Sequence, residues 1–128
     1  MIQLHQIFSG TELQIAEKIR QRRLQMLVHS CIYYKLNDNL VDDTTWSRWA
    51  VELAELQKQY PLISAKVDYA KAFRDWDGSS GAFLPLDDAW VVNKANQLLG
   101  RTAQAVVVNQ PKKSSPKVKP KVRKRKLF

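Results

Sequence analysis

The chain has 128 residues, 45% of them hydrophobic, with four Trp, four Tyr and four Phe and a formal charge of +9 at pH 7. That apolar content supports a packed core and excludes a chain disordered throughout, while one cysteine and two histidines exclude an intramolecular disulfide and any recognisable structural zinc pattern. No signal sequence opens the chain and no apolar run approaches the ~20 residues that span a bilayer, so a soluble protein of the reducing cytoplasm with no membrane partner is expected.

Residues 1–8, MIQLHQIF, are compatible with a strand, a helix extension or an arm on the core. Ser9 and Glu12 have capping-box spacing, so a helix should begin near Thr11. Its apolar positions recur at Ala16, Ile19, Leu24, Leu27, Val28, Cys31 and Ile32, the spacing of one buried helical face, and it should run to Lys35 or Leu36. Asn37-Asp38-Asn39 then favours a turn. Asp42 or Asp43 can cap a second helix, in which Trp46, Trp49, Ala50, Leu53, Leu56 and Tyr60 form a stripe that Pro61 stops. A connection this short makes the two helices an antiparallel hairpin.

A third, shorter helix is expected from about Ser64 towards Phe73. Gly78, Gly81 and Pro85 enforce a loop, with Trp76 and Phe83 pinning it to the core. A last helix should start after Leu86, capped by Asp87 or Asp88, bury Trp90, Val91, Ala95 and Leu98, and end at Gly100. The segment from Thr102 to Gln110 suits a turn, an edge strand or the start of a linker. The fold class is therefore all-α: a domain of three or four helices over residues 1–108, built on a hairpin at about 15–63, followed by a tail at 109–128.

The tail holds seven Lys and two Arg with no acid, whereas the preceding 108 residues hold twelve basic and twelve acidic residues. The body is neutral and the tail accounts for the whole net charge. Three prolines and little to bury make the tail disordered in isolation. Lys112, Lys113, Lys117, Lys119, Lys121, Arg123, Lys124, Arg125 and Lys126 can follow a phosphate backbone and release its counterions without reading sequence, so nucleic acid is the leading partner. An anionic membrane surface, an acidic protein, an import signal and mere solubility are the rival uses of such a tail.

Tyr33-Tyr34, Asp43-Thr44-Thr45-Trp46, Glu52-Leu53, Leu56 and Tyr60-Pro61 resemble, at matching gaps, the N-terminal helical subdomain of bacterial NAD-dependent DNA ligases. The resemblance covers about residues 15 to 63. It implies a hairpin that closes over the nicotinamide mononucleotide half of NAD, with Tyr33 and Tyr34 at the nicotinamide end, Asp43 at its ribose or amide region, and Trp46 where the family has a second stacking Tyr. An aromatic face stacks on a pyridinium ring and a carboxylate offsets its charge. Ser47 stands where the ligases carry an Asp, which leaves two readings: a site for NAD or its mononucleotide, or a hairpin kept for stability or another surface. A protein-interaction module docking on a DNA-metabolism enzyme is a further alternative.

Catalysis is not expected. Lys66-Val67-Asp68-Tyr69 lacks the Gly of the ligase K-x-D-G motif, and the chain has no room for an adenylation domain. Trp76, Gly78, Gly81, Leu84, Pro85, Asp88 and Trp90 resemble a segment of small uncharacterised tailed-phage and prophage proteins. Gly78-Ser79-Ser80-Gly81 reads as a glycine-enabled turn or, less simply, as a phosphate cradle. His29 and Cys31 lie two apart on a helix and cannot meet as base and nucleophile. Arg20, Arg22 and Arg23 read as a solvated basic face offset by Glu12 and Glu17, or as a continuation of the tail's footprint.

Overall fold

The computed structural model describes residues 2–100. The segment after Gly100 and the nine cationic residues named above therefore lie outside the described residues. Within them the protein is all-helical, with no strand: a 3₁₀ turn at Leu4–Gln6 precedes α1 (Gly10–Tyr34), α2 (Asp43–Gln59), α3 (Pro61–Ser64) and α4 (Ala89–Leu98).

Ser9 is the N-cap of α1, but its hydroxyl makes no capping bond. Gly10, at φ 57°, turns the chain into the helix instead. The N-terminal residues form an arm on the core: Leu4 and Phe8 are buried, and the Ile2 N–H donates to the Asp68 carboxylate. At the other end Asn37 takes the left-handed conformation at φ 57°, and Asp38 N–H reaches the Ile32 carbonyl. Asn tolerates that conformation because its side chain can bond locally.

The expectation of one buried face on α1 is corrected. Every residue from Gln25 to Ile32 is buried, whereas Leu24 is only half-buried. The helix is covered on several sides, by α2, by α4 and by the loop before α4, so its apolar residues cannot form a single stripe. α2 runs antiparallel to it: Arg23 meets Gln57, His29 meets Trp49, and residues near the end of α1 meet the first turn of α2. Asp42 is the α2 cap, its carboxylate accepting from Thr45 N–H at 2.8 Å.

Pro61 ends α2 and also opens α3, occupying the first helical position, where its missing N–H costs nothing. The third helix is thus four residues long and earlier than expected. Beyond it the chain continues as turns through residue 75, with Tyr69 at φ 66°. Side chains of both long helices bond this stretch, Gln57 of α2 donating to the Phe73 carbonyl at 2.9 Å and Arg23 of α1 holding its start. Arg23, only 1% exposed, donates through Nε to Gln57 and through its two amino groups to the carbonyls of Val67, Asp68 and Ser64 and the hydroxyl of Ser64, at 2.6–3.0 Å. All five guanidinium donors are used.

The basic cluster on α1 is consequently structural rather than a solvated face. Arg20 pairs with Asp68 at 3.3 Å and Arg22 with Glu52 at 2.8 Å. Glu12 and Glu17 are not the partners. α4 is capped by Asp88, which accepts from Trp90 and Val91 N–H and from the Tyr69 hydroxyl. Val91 and Ala95 are buried as expected, while Trp90 and Leu98 are half-buried.

Candidate functional site

The end of α1 and the start of α2 cannot close against each other. The turn between them places exposed polar residues at Asn37 and Asn39, and two bulky side chains, Tyr33 and Tyr34, stand at the last positions of α1. Their rings meet edge to face, centroids 4.9 Å apart, and remain 58% and 46% exposed. The opening so formed is a cleft of about 190 Å³ lined by Tyr33, Tyr34, Asp43 and Trp46 together with His29, Ser30, Asn39, Leu40, Val41, Ser79 and Ser80. The four residues singled out on the hairpin therefore share one site. Ser47, exposed on α2, is not part of the lining.

Ser79 and Ser80 come from a loop that sequence spacing does not connect to the hairpin. Trp76 anchors it, buried, with its indole N–H donating to the Ala50 carbonyl at 3.0 Å. Gly78, at φ 85°, passes so close to α2 that a Cβ there would lie 3.1 Å from the Ala50 oxygen. Gly81 is pressed against α1, where a Cβ would collide with the Ser30 side chain. These contacts give a physical reason for the spacing of Trp76, Gly78 and Gly81: the tryptophan and both glycines let the loop lie across the hairpin. Tyr34 and Ser80 hydroxyls approach to 3.5 Å across the cleft. Phe83 departs from the expectation that it pins the loop, since it is 60% exposed, its ring 6.3 Å from Trp76.

The loop does not offer a phosphate cradle. Ser79 N–H and hydroxyl both donate to the Asp77 carboxylate, and Ala82 N–H donates to the Ser80 hydroxyl. Those amides are occupied, and a carboxylate sits where an anion would have to enter.

The electrostatics of the cleft are negative. Its lining contains Asp43 and no Lys or Arg. Nearby, hydrogen bonds from the Thr45 backbone and side chain hold the Asp42 carboxyl below the usual carboxylate range, and those from the Ser79 hydroxyl and amide do the same for Asp77. Lys35, at the end of α1, is paired with Asp87 at 3.7 Å. His29 packs beneath the cleft, its ring 5.7 Å from that of Trp49. The Ser30 hydroxyl is buried without a hydrogen-bond partner among the described residues.

Two other features carry no chemistry of this kind. Cys31 is buried, its thiol pushed up to about 11 by desolvation and by Asp87, against a lowering from Lys35, so it is not a nucleophile at neutral pH. Asp68, in the stretch resembling K-x-D-G, is bonded to Arg20 and Ile2. A larger depression of about 550 Å³ is lined by Pro61, Lys71, Phe73 and Arg74 among others, but Gln57 and Ser64 on its wall are engaged by Arg23. Among the described residues no cluster of metal-ligating side chains occurs, and no helix is long and apolar enough to cross a membrane.

No protein-family model matches the chain, and neither a curated protein nor a solved structure matches it. The likeness to the ligase subdomain therefore rests on the residue pattern alone.

Proposed function

We propose that this chain is a non-enzymatic accessory protein, of the phage type suggested by its loop motif, that binds nucleic acid without strong sequence preference through Lys112–Lys126. The observation that carries this reading is the segregation of charge: nine cations and no acid after residue 108, against twelve of each sign before it. A cationic strand releases phosphate counterions whatever the base sequence. The fold adds a reason for the tail to act alone, since the arginines of α1 are already in ion pairs or buried and the cleft lining has no cation.

If six to nine charges engage duplex DNA, the slope of log affinity against log salt is about −5 to −8. Fluorescence anisotropy on the full chain and on one lacking residues 110–128 tests it. Loss of binding and of the slope is expected, and unchanged affinity overturns the reading.

A second reading is favoured by the meeting of Tyr33, Tyr34, Asp43 and Trp46 in one cleft. In this reading the hairpin holds the nicotinamide end of NAD or of its mononucleotide, the pyridinium ring on an aromatic face and its charge opposite Asp43. Calorimetric titration with both ligands, repeated on Asp43→Ala, decides it: heat that weakens in the variant supports the site, and no heat with either ligand removes it.

A further inference from the structure

We propose that the cleft between the end of α1 and the start of α2 is a receptor for a cationic side chain, and that its occupant is a lysine or arginine from this chain's own segment 112–126. The lining supplies three aromatic rings, two of them largely exposed, and one carboxylate, with no cation. A Lys or Arg head within about 6 Å of such a ring is drawn to its face. Asp42 and Asp77, near the site in sequence, add two more negative charges, their charged forms favoured by hydrogen bonds from Thr45 and Ser79. Lys35 is paired with Asp87 and Arg48 acts on Asp42, and neither lines the cleft.

Ser30 lines the cleft and is only 1% exposed, and its hydroxyl has no hydrogen-bond partner among the described residues. That hydroxyl lies under the loop against Gly81, so the rings and the carboxylate are the groups that meet the occupant. The same carboxylates repel the polyanionic backbone of a nucleic acid, so nucleic acid and the cleft compete for one set of cations rather than forming a continuous surface.

The supply is at hand. Lys112 follows Gly100 by twelve residues, a tether that extends to about 40 Å, whereas a domain of this size has a radius of gyration of about 13 Å. Linkage by so short a chain makes docking intramolecular, at an effective concentration on the order of millimolar. Docking does not depend on the nucleic-acid reading. Its release by nucleic acid does, because an anionic backbone would draw the cations out and open the cleft.

The test is made on the full chain at low salt, carrying a nitroxide on Ser115→Cys; buried Cys31 stays unlabelled. Paramagnetic broadening should concentrate on the Trp46 indole N–H and on the amides of Tyr33, Tyr34 and Ser79, and disappear at about 0.5 M salt. Tyr33→Ala and Asp43→Asn, both at exposed positions, should each cut the docked population about two- to fivefold, the scale of an exposed cation–π contact. Glu55→Gln, on the exposed part of α2, should leave it unchanged.

Broadening that is absent, or spread evenly over the body, overturns the proposal. So does broadening seen only between labelled and unlabelled copies, which would make a second molecule the occupant. Duplex DNA added last separates the two readings: if it does not bind, the nucleic-acid function fails while the docking result stands.

Discussion

Arg23 is a full positive charge inside the core, and its cost is offset by geometry rather than by a contacting carboxylate. Burial pushes its pKa down to about 10, with Asp68 pulling the other way, so it remains a cation at neutral pH. Arg23→Met should destabilise the fold by about 3–5 kcal/mol in urea unfolding, because the carbonyls of Ser64, Val67 and Asp68 would lose their donor. Arg23→Lys should recover little, since three rotatable donors cannot replace a planar fork of five. Two further residues set an alkaline limit. Burial raises the Cys31 thiol from 9.0 to about 11, and burial with Asp88 raises the Tyr69 hydroxyl from 10.0 to about 12. Each folded pKa lies above its unfolded value, so the native state binds more protons in between. Stability is then fully present below pH 9 and is lost as pH rises from 9 to 12. Urea midpoints measured across that range should flatten in Cys31→Ala and Tyr69→Phe.

Among the elements, the loop from Trp76 to Leu86 does the most to shape the site, although it has no regular structure. Its glycines are required for different reasons: Gly78 for a positive φ and close approach to α2, Gly81 for contact with Ser30. Gly81→Ala should cost about 1–3 kcal/mol through overpacking and displace Ser79 and Ser80 from the cleft. Combining it with Ser30→Gly should recover part of that loss, a coupling that a double-mutant cycle in urea would detect. The helix starts are separable from this. Asp88→Ala removes a cap and the acceptor of the Tyr69 hydroxyl together, so a loss of about 1–2 kcal/mol is expected in thermal unfolding, less in a Tyr69→Phe background.

For the molecule as a whole, stability and charge are assigned to different stretches of chain. The core of the described residues runs from Leu4 to Ala95 and is built from the 3₁₀ turn, all four helices and the loop. In about 0.5 M salt, where the tail is undocked, removing residues 109–128 should therefore leave the free energy of urea unfolding unchanged within about 0.5 kcal/mol while taking away nine positive charges. A drop larger than that would mean the tail takes part in folding, and the division of labour argued above would fail.

Much of this was legible because it is local. Proline, asparagine and aspartate punctuate the chain by their own backbone preferences, so the two long helices, the turn at Asn37 and the fourth helix follow from residue types and spacing. The residue pattern also selected Tyr33, Tyr34, Asp43 and Trp46, which do share a cleft, and the uneven charge is a property of composition alone. What spacing could not supply is anything that depends on elements distant in the chain. A helix from Ser64 to Phe73 follows from pattern, yet Arg23, some forty residues earlier, bonds the carbonyls of Ser64, Val67 and Asp68, Gln57 bonds that of Phe73, and the segment lies in turns. The α1 arginines look solvated in sequence, and only the tertiary structure decides that one is buried and two are paired. For the same reason Ser30, Ser79 and Ser80 join the cleft unannounced: periodicity reports which side of a helix is apolar, but not which loop will come to lie across it.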